Sequence, residues 1–418
     1  MKTGLCAREA AQVILEHTTR QPAVRMPLDD ALEGVLAEDI VSPLDIPAHT
    51  NSAMDGYAAR AADVRSATGE HPARLRVVER IPAGSFPTLP IGPGECARIF
   101  TGAPLPAGAD TVIRQEDTDG GSDVVSVLND RDAGVNWRAA GEDIRRGETV
   151  LRDGDSLNPA RLGVLASLAV AHPLVYRRPR VAILGSGDEI VDVDQADEIL
   201  SGRKVASSNT HTLVALVRLA GGLPVNLGIA RDTPGSLREH LERAFDCDLL
   251  VTTAAISVGE HDDLRRVMEE DFGTDLKFWR IRMRPGAPVA FGVAQGLPWI
   301  GLPGNPVSTM VTFELFVRPA IRRMSGRRLP FRRGTRVHLA APVSLKPRLQ
   351  HFLRAVVSDG PEGPEARLTG PQGSGILTSM VKANALLVLP EGQLETPAGA
   401  PATAILLDDP LHQEDPPY

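Results

Sequence analysis

At 418 residues the chain is too long for one hydrophobic core, and roughly two to four domains are expected. A formal net charge of -8, with Lys and Arg scattered rather than massed, excludes a sequence-independent grip on nucleic acid or on an anionic membrane, so any anionic ligand must be met by local donors. Cys6, Cys96 and Cys247 are odd in number and far apart, which fits packing roles in a reducing compartment; no apolar run approaches about eighteen residues, and a soluble, cytoplasmic protein is expected.

Residues 7–17 and 29–37 read as helices, the second with Ala31, Leu32, Val35 and Leu36 on one face, and 24–28 as a short strand between them. The stretch 49–58 has neither helical nor strand periodicity and reads as an ordered loop. Short apolar runs at 75–81, 96–100, 111–115 and 124–128, separated by Gly and Pro clusters, predict a small β domain. A second loop at 136–143 precedes a helix with Asn158 as N-cap, Pro159 at its first position and Leu162, Leu165, Ala166 and Ala169 inward. After a basic linker at 176–180, strands at 181–184, 225–229, 249–253 and 289–291 alternate with helices starting near 208, 233, 262 and 306. That alternation predicts an open α/β domain with a mainly parallel sheet. From 327 onward β-like runs return (337–340, 352–357, 385–389, 403–407) as a C-terminal β domain, with 410–418 a frayed tail. The resulting division is an N-terminal α+β region (1–50 and 136–176), an inserted small β domain (51–135), the α/β domain (177–326) and the C-terminal β domain (327–418).

In an open α/β sheet, ligands bind beyond the carboxyl ends of the strands, where the strand order reverses. Three turns fall there: 185–189, 254–262 and 301–308. The last, Gly301-Leu-Pro-Gly-Asn-Pro-Val-Ser308, reads as strand, glycine turn and helix start. Pro306 suits the first helical position, Asn305 can cap the next turn, and free N–H groups at the helix dipole's positive end favour an anion. A plain strand-to-helix connection is the competing reading. The run Gly185-Ser-Gly-Asp-Glu-Ile190 lacks the third glycine of a dinucleotide fingerprint. Its Asp188 and Glu189 suit a hydrated Mg²⁺, or simply cap a loop. Asp262 and Asp263 complement a helix dipole. Ser257 only faintly resembles a nucleophile elbow. Arg280, Arg282 and Arg284 alternate before Pro285-Gly286, which puts them on one face as an anion clamp or a solvated edge.

In combination these loops resemble the molybdopterin molybdenumtransferase family, which includes bacterial MoeA proteins and the gephyrin E domain. The resemblance runs nearly the full length and rests on Asn51-Ser-Ala-Met-Asp-Gly-Tyr-Ala58, Thr101-Gly-Ala-Pro104, Gly141-Glu-Asp143, Gly187-Asp-Glu189, Ser257-Val-Gly-Glu260, Gly301 through Ser308, and Gln372-Gly-Ser374. It implies a MogA-like α/β domain within an elongated homodimer of four-domain subunits. It also implies a reaction in which molybdate enters adenylylated molybdopterin and Mg²⁺-dependent hydrolysis releases AMP. By motif, Asp55, Asp143, Glu189, Asp232 and Asp262 would be catalytic, with Asp188, Glu189, Asp232 and Asp262 on the metal. Thr101, Ser257, Arg280, Arg284, Gly304, Asn305, Ser308, Arg354 and Ser374 would bind substrate. Transient contacts with an upstream adenylyltransferase and with apo-molybdoenzymes are further implications.

The chain departs from the family pattern at Thr253-Ala-Ala255, where Ser-Gly-Gly is usual, and at Arg284-Pro-Gly-Ala287, where Lys-Pro-Gly-Lys is usual. Arg280 also stands for a family lysine. Loss of one cation from a buried oxyanion site costs roughly 2–5 kcal/mol. Ala254, Ala255 and Ala287 therefore motivate a second reading, a diverged carrier or scaffold that binds molybdopterin with weak catalysis. A phosphatase on an open α/β fold would explain the carboxylates but not the 51–58 motif.

Overall fold

The structure, a computed structural model, describes residues 2–253, 263–345, 349–360 and 363–407. The chain divides into two compact units: Met1–Ala37, Gly154–Pro159 and His172–Tyr418 form one, and Glu38–Asp153 with Ala160–Ala171 the other.

The smaller unit is built on a five-stranded sheet of β1 (Gly56–Ala59), β2 (Ala73–Ile81), β3 (Glu95–Ile99), β4 (Thr111–Arg114) and β5 (Val124–Val127), in the order β4-β1-β3-β2-β5. Strand β1 lies within the stretch read from sequence as a loop. Its residues carry no alternation because both faces are covered: Tyr57 and Ala59 enter one apolar cluster and Ala58 another. Gly56 must be glycine, since a Cβ there would stand 1.9 Å from the Ile113 carbonyl oxygen. The expected helix after Asn158 forms as Pro159–Ser167, but it buries only Leu165 and leaves Ala166 exposed; just beyond it Leu168 is buried and Ala169 exposed.

In the larger unit, α1 (Ala7–Glu16) buries Ala10, Val13 and Ile14, and Glu9 Oε2 accepts the Cys6 N–H at its start (2.8 Å). The expected helix at 29–37 is absent. Only a 3₁₀ turn, Leu28–Ala31, forms, because Leu32 turns extended and Glu33 takes φ +62°. Val35 and Leu36 are instead buried as isolated bridges to Ser156 and Val175.

The α/β sheet comprises β6 (Arg180–Ser186), β7 (Leu223–Ala230), β8 (Leu249–Thr253), β9 (Asp275–Phe278), β10 (Ala290–Ala294) and β11 (Leu297–Leu302), in the order β7-β6-β8-β11-β10-β9. Strands β7, β6, β8 and β11 run parallel; at one edge β10 pairs antiparallel with β11, and β9 antiparallel with β10, so β9 runs in the direction of the first four. Val181 and Ile183 of β6 face one apolar cluster, and Ala182 and Leu184 the other. Such two-sided burial is why the strand reads as a continuous apolar run. Helices α2 (Ser208–Ala220) and α3 (Pro234–Glu242) follow β6 and β7. After β11 comes α4 (Pro306–Thr312), continued through a π turn, Phe313–Val317, into α5 (Arg318–Met324). Because β7 lies on one side of β6 and β8 on the other, the winding reverses between β6 and β8.

The C-terminal strands β12 (Gly334–Leu339), β13 (Gln350–Gly360), β14 (Gly363–Leu368), β15 (Ala385–Leu389) and β16 (Pro401–Leu406) pair as β13-β14-β12-β16-β15, and a further β13–β15 pairing closes them into a barrel. Met283–Arg284 adds to β13 in parallel. Among the described residues no helix is long and apolar enough to cross a membrane.

Candidate functional site

At the carboxyl end of β6 the chain must reverse sharply, and Gly187 allows it with φ +139°; a Cβ there would meet Glu189 Oε2 and Ile190 Cγ1, each at 2.9 Å. The turn delivers Asp188 and Glu189 beside the end of β7, where the Asp232 N–H donates to Asp188 Oδ1 (3.3 Å) and the Gly187 N–H to the Ala230 carbonyl (3.2 Å). Lys204 Nζ donates to the Asp188 carbonyl (2.7 Å). A polar cleft of about 610 Å³ opens between these turns, lined by Gly187, Asp188, Asp192, Lys204 and Arg231.

Partial burial pushes the Asp232 carboxyl above its usual range, and repulsion from Asp188, Glu189 and Asp263 pushes the same way. Three of the sequence-derived acids thus come together. Asp263, which the motif comparison passed over in favour of Asp262, joins them. Ser257, Asp262, Ala254 and Ala255 lie outside the described residues. Among the described residues no three His, Cys, Asp or Glu side chains converge closely enough to hold a metal ion by themselves.

The turn 301–308 forms as a strand, glycine turn and helix, with Pro306 at the first helical position. Two details differ from expectation. The Asn305 side chain does not cap; instead the Asn305 backbone carbonyl accepts from the Thr309 N–H (2.9 Å) and hydroxyl (3.1 Å). Nor are all the early donors free, because the Val307 N–H is taken by the Ser374 carbonyl (3.2 Å). Asn209, at the start of α2, donates from Nδ2 to the Gly304 carbonyl (2.7 Å) and ties the turn from the other side. Gly304 and Asn305 are exposed and Ser308 is buried.

Ser374 brings the C-terminal barrel to this helix start, and Arg354 comes with it. Arg354 on β13 is fully buried; its Nε donates to Ser379 Oγ (3.1 Å) and its Nη2 to the Gly373 carbonyl (3.0 Å). Its third nitrogen, Nη1, is buried with no hydrogen-bond partner among the described residues. Burial lowers the Arg354 pKa. A buried guanidinium without a carboxylate partner is costly unless an anion meets it. Two residues beyond Arg284, Gly286 (φ +93°) lies so close to α4 that a Cβ would stand 2.4 Å from Thr312 Cγ2. Arg280, Arg282 and Arg284 are exposed while Ile281 and Met283 between them are buried, as alternation predicts. Arg280 and Arg282 both line a cleft of about 370 Å³ with Lys2 and Ala287, and Arg282 also pairs with Glu391 (3.4 Å).

In the smaller unit Asp55 is exposed, and its Oδ1 accepts both the N–H and the hydroxyl of Thr101, each at 2.8 Å. Those two donors hold its pKa below the usual carboxylate value. Arg98, not singled out from the sequence, backs this corner: it stacks over Tyr57 and Phe100 and donates to the Gly56 carbonyl (3.0 Å). Asp143 is exposed on a turn held by its N–H to the Ile46 carbonyl (3.0 Å).

These features, acidic strand-end turns, a helix start tied to the C-terminal barrel, a buried guanidinium and a separate β unit with its own acidic loop, lie in a multidomain chain that three family models cover in succession. Residues 6–169 match the model of the MoeA N-terminal region (domain I and II), 182–323 that of the probable molybdopterin binding domain, and 336–407 that of the MoeA C-terminal region (domain IV). Molybdopterin molybdenumtransferase 2 of Mycobacterium tuberculosis (strain H37Rv) is 36% identical over 401 residues, covering 94% of this chain and 97% of that one. Molybdopterin molybdenumtransferase of Staphylococcus aureus (strain N315) is 30% identical over 412 residues, covering 98% and 97%. The crystal structure of the molybdopterin biosynthesis moeA protein from Pyrococcus horikoshii OT3 superposes with a TM-score of 0.81 at 30% identity, covering 97% of this chain and all of that one. The chain belongs to the molybdopterin molybdenumtransferase (MoeA) family.

Proposed function

We propose that the protein is a molybdenum insertase of molybdenum cofactor biosynthesis: it takes adenylylated molybdopterin and molybdate, and couples molybdenum insertion to hydrolysis of the adenylate with release of AMP. The observation that supports this reading best is Arg354, tied through Gly373 to the segment that meets the helix start at 306: among the described residues its Nη1 is a buried donor that lacks an acceptor. A tetrahedral oxyanion supplies that acceptor, and Arg280 adds charge nearby along the chain. Gly304, Asn305 and Ser308, with Thr101 and Ser257, bind the pterin-nucleotide end of the substrate.

Asp188, Glu189, Asp232 and Asp262 hold Mg²⁺. The donor set fits a hard, partly hydrated cation, and the mutual repulsion that raises Asp232 is the charge such a cation offsets. Bound there, Mg²⁺ would neutralise charge on the phosphoanhydride. Asp55, kept ionised by Thr101, and Asp143 accept protons or orient water at the reacting phosphate. The protein works as a cytoplasmic homodimer that meets the adenylyltransferase upstream and apo-molybdoenzymes downstream.

The test is direct. Purified protein with adenylylated molybdopterin, Mg²⁺ and molybdate should release AMP and yield cofactor that activates an apo-molybdoenzyme. Absence of AMP release would sink the reading. Light scattering should give twice the chain mass; a monomer would remove the homodimer.

A further inference from the structure

A second concentration of arginines lies away from the strand-end turns, where α5 meets the start of the C-terminal barrel. Arg318, Arg322, Arg332 and Arg333 line a pocket of about 380 Å³ whose apolar wall is Phe331 and Leu406. One carboxylate, Glu314, answers them among the described residues. Its Oε2 accepts from Arg332 Nε at 2.7 Å, which leaves Arg318 Nε at 3.7 Å, too long for a hydrogen bond. Among the described residues Arg318 Nε is buried with no hydrogen-bond partner, and the Arg318 side chain is only 12% exposed. Arg322 donates to the Leu329 carbonyl (3.3 Å), and neither it nor Arg333 meets a carboxylate among the described residues. Among the described residues four guanidiniums face one acid, an excess of positive charge in the pocket.

Burial alone would not gather like charges in this way. It lowers the Arg322 pKa to about 10, with repulsion from Arg327, Arg318 and Arg332 adding to it. Like charges brought together at partial burial are unfavourable unless a counter-charge joins them. Guanidinium forks match phosphate oxygens two at a time, and the pocket has the volume of a small ligand.

We infer that this pocket is a binding site for a small phosphate-bearing anion, with the phosphate oxygens on Arg318, Arg322 and Arg333 and the body of the ligand against Phe331 and Leu406. No residue of the proposed insertion site takes part, so the two readings stand or fall separately.

Isothermal titration of the full-length protein with inorganic pyrophosphate, at constant ionic strength set with sodium chloride, tests it. The wild type should show a pyrophosphate site whose Kd rises at least about tenfold in R322Q and in R333Q. The same site should persist in R354M, which alters the buried arginine beside Ser374. Arg333 is exposed, so R333Q keeps the test open should R322Q fail to fold. No binding at millimolar pyrophosphate, equal binding in R322Q and R333Q, or loss of the site in R354M would each overturn the inference.

Discussion

Gly286→Ala perturbs the contact that packs the Pro285-Gly286 turn, which follows Arg284, against α4. Gly286 sits at φ +93°, where an L side chain costs about 1–2 kcal/mol. The new Cβ would stand 2.4 Å from Thr312 Cγ2, on a residue with no exposed surface, and overpacking of that kind costs about 1–3 kcal/mol. The sum is a loss of about 2–5 kcal/mol. Thr312→Ser removes the offending methyl and keeps the hydroxyl that donates to the Ser308 carbonyl (2.7 Å), at a cost of about 0.8 kcal/mol for the lost apolar group. In the double variant the clash disappears while the backbone strain remains, so urea denaturation of the four proteins should give a coupling of about 1–3 kcal/mol. The functional readout should follow: G286A displaces Arg284 and raises the molybdate concentration needed for half-maximal AMP release, and T312S recovers part of that loss. Additive free energies within about 0.5 kcal/mol would refute the placement of the Pro285-Gly286 turn on α4.

Other expectations concern charge. The Asp232 pKa is raised by partial burial and by neighbouring acids, so its ionised form is a burden on the fold above the ordinary carboxylate value and none below it. Asp232→Asn should therefore hold its urea midpoint at or above wild type at neutral pH, with the difference vanishing on acidification through the carboxylate range, while AMP release falls; a midpoint lower than wild type at pH 7 would contradict this. For Asp55 the sign reverses: the Thr101 donors lower its pKa, which contributes stability present above the unfolded value of 3.8 and lost as pH falls through the folded value. In Thr101→Val the hydroxyl donor is gone, and carbon NMR of the Asp55 carboxyl should show its titration moving up toward the ordinary value, where no movement would count against the pairing. Arg354→Met should keep the fold by circular dichroism yet raise the molybdate requirement at least about tenfold, since a charge-assisted pair is lost; an unchanged requirement would remove Arg354 from the oxyanion site.

Much of the architecture is legible because burial on both faces leaves a plain signature. The β6 and β8 segments are unbroken apolar runs bounded by turn residues, and alternation with helices then dictates a mainly parallel sheet. Legibility fails where small residues do the packing or one backbone angle decides. Gly56–Ala59 is a central strand made of glycine, tyrosine and two alanines, without period, and the glycine is demanded by Ile113 in a strand far along the chain. At 29–37 the apolar spacing suits a helix, but Glu33 at φ +62° and Gly34 redirect the chain, so Val35 and Leu36 are buried as extended residues.

The site divides in the same way. Acidic and basic residues at strand ends can be named from motif, because the chemistry needs those side chains. The residues that hold the turns cannot: Asn209 on Gly304, Ser374 on Val307 and Arg98 under the Asp55 corner act through space, between segments with no common sequence signal. This alters what the helix start contributes. Pro306 has no N–H and the Val307 N–H is spent on Ser374, so the anion-binding capacity that a bare helix terminus would offer is partly consumed in fastening the C-terminal barrel. In exchange the barrel supplies Arg354, whose Nη1 is buried without a hydrogen-bond partner among the described residues. A full charge held in a dry, fixed place attracts an oxyanion more strongly than a partial helix charge of about half a unit. The substitution of Ala287 for a lysine is thus to be weighed against Arg354 and Arg284, and affinity for the oxyanion should respond more to R354M than to A287K.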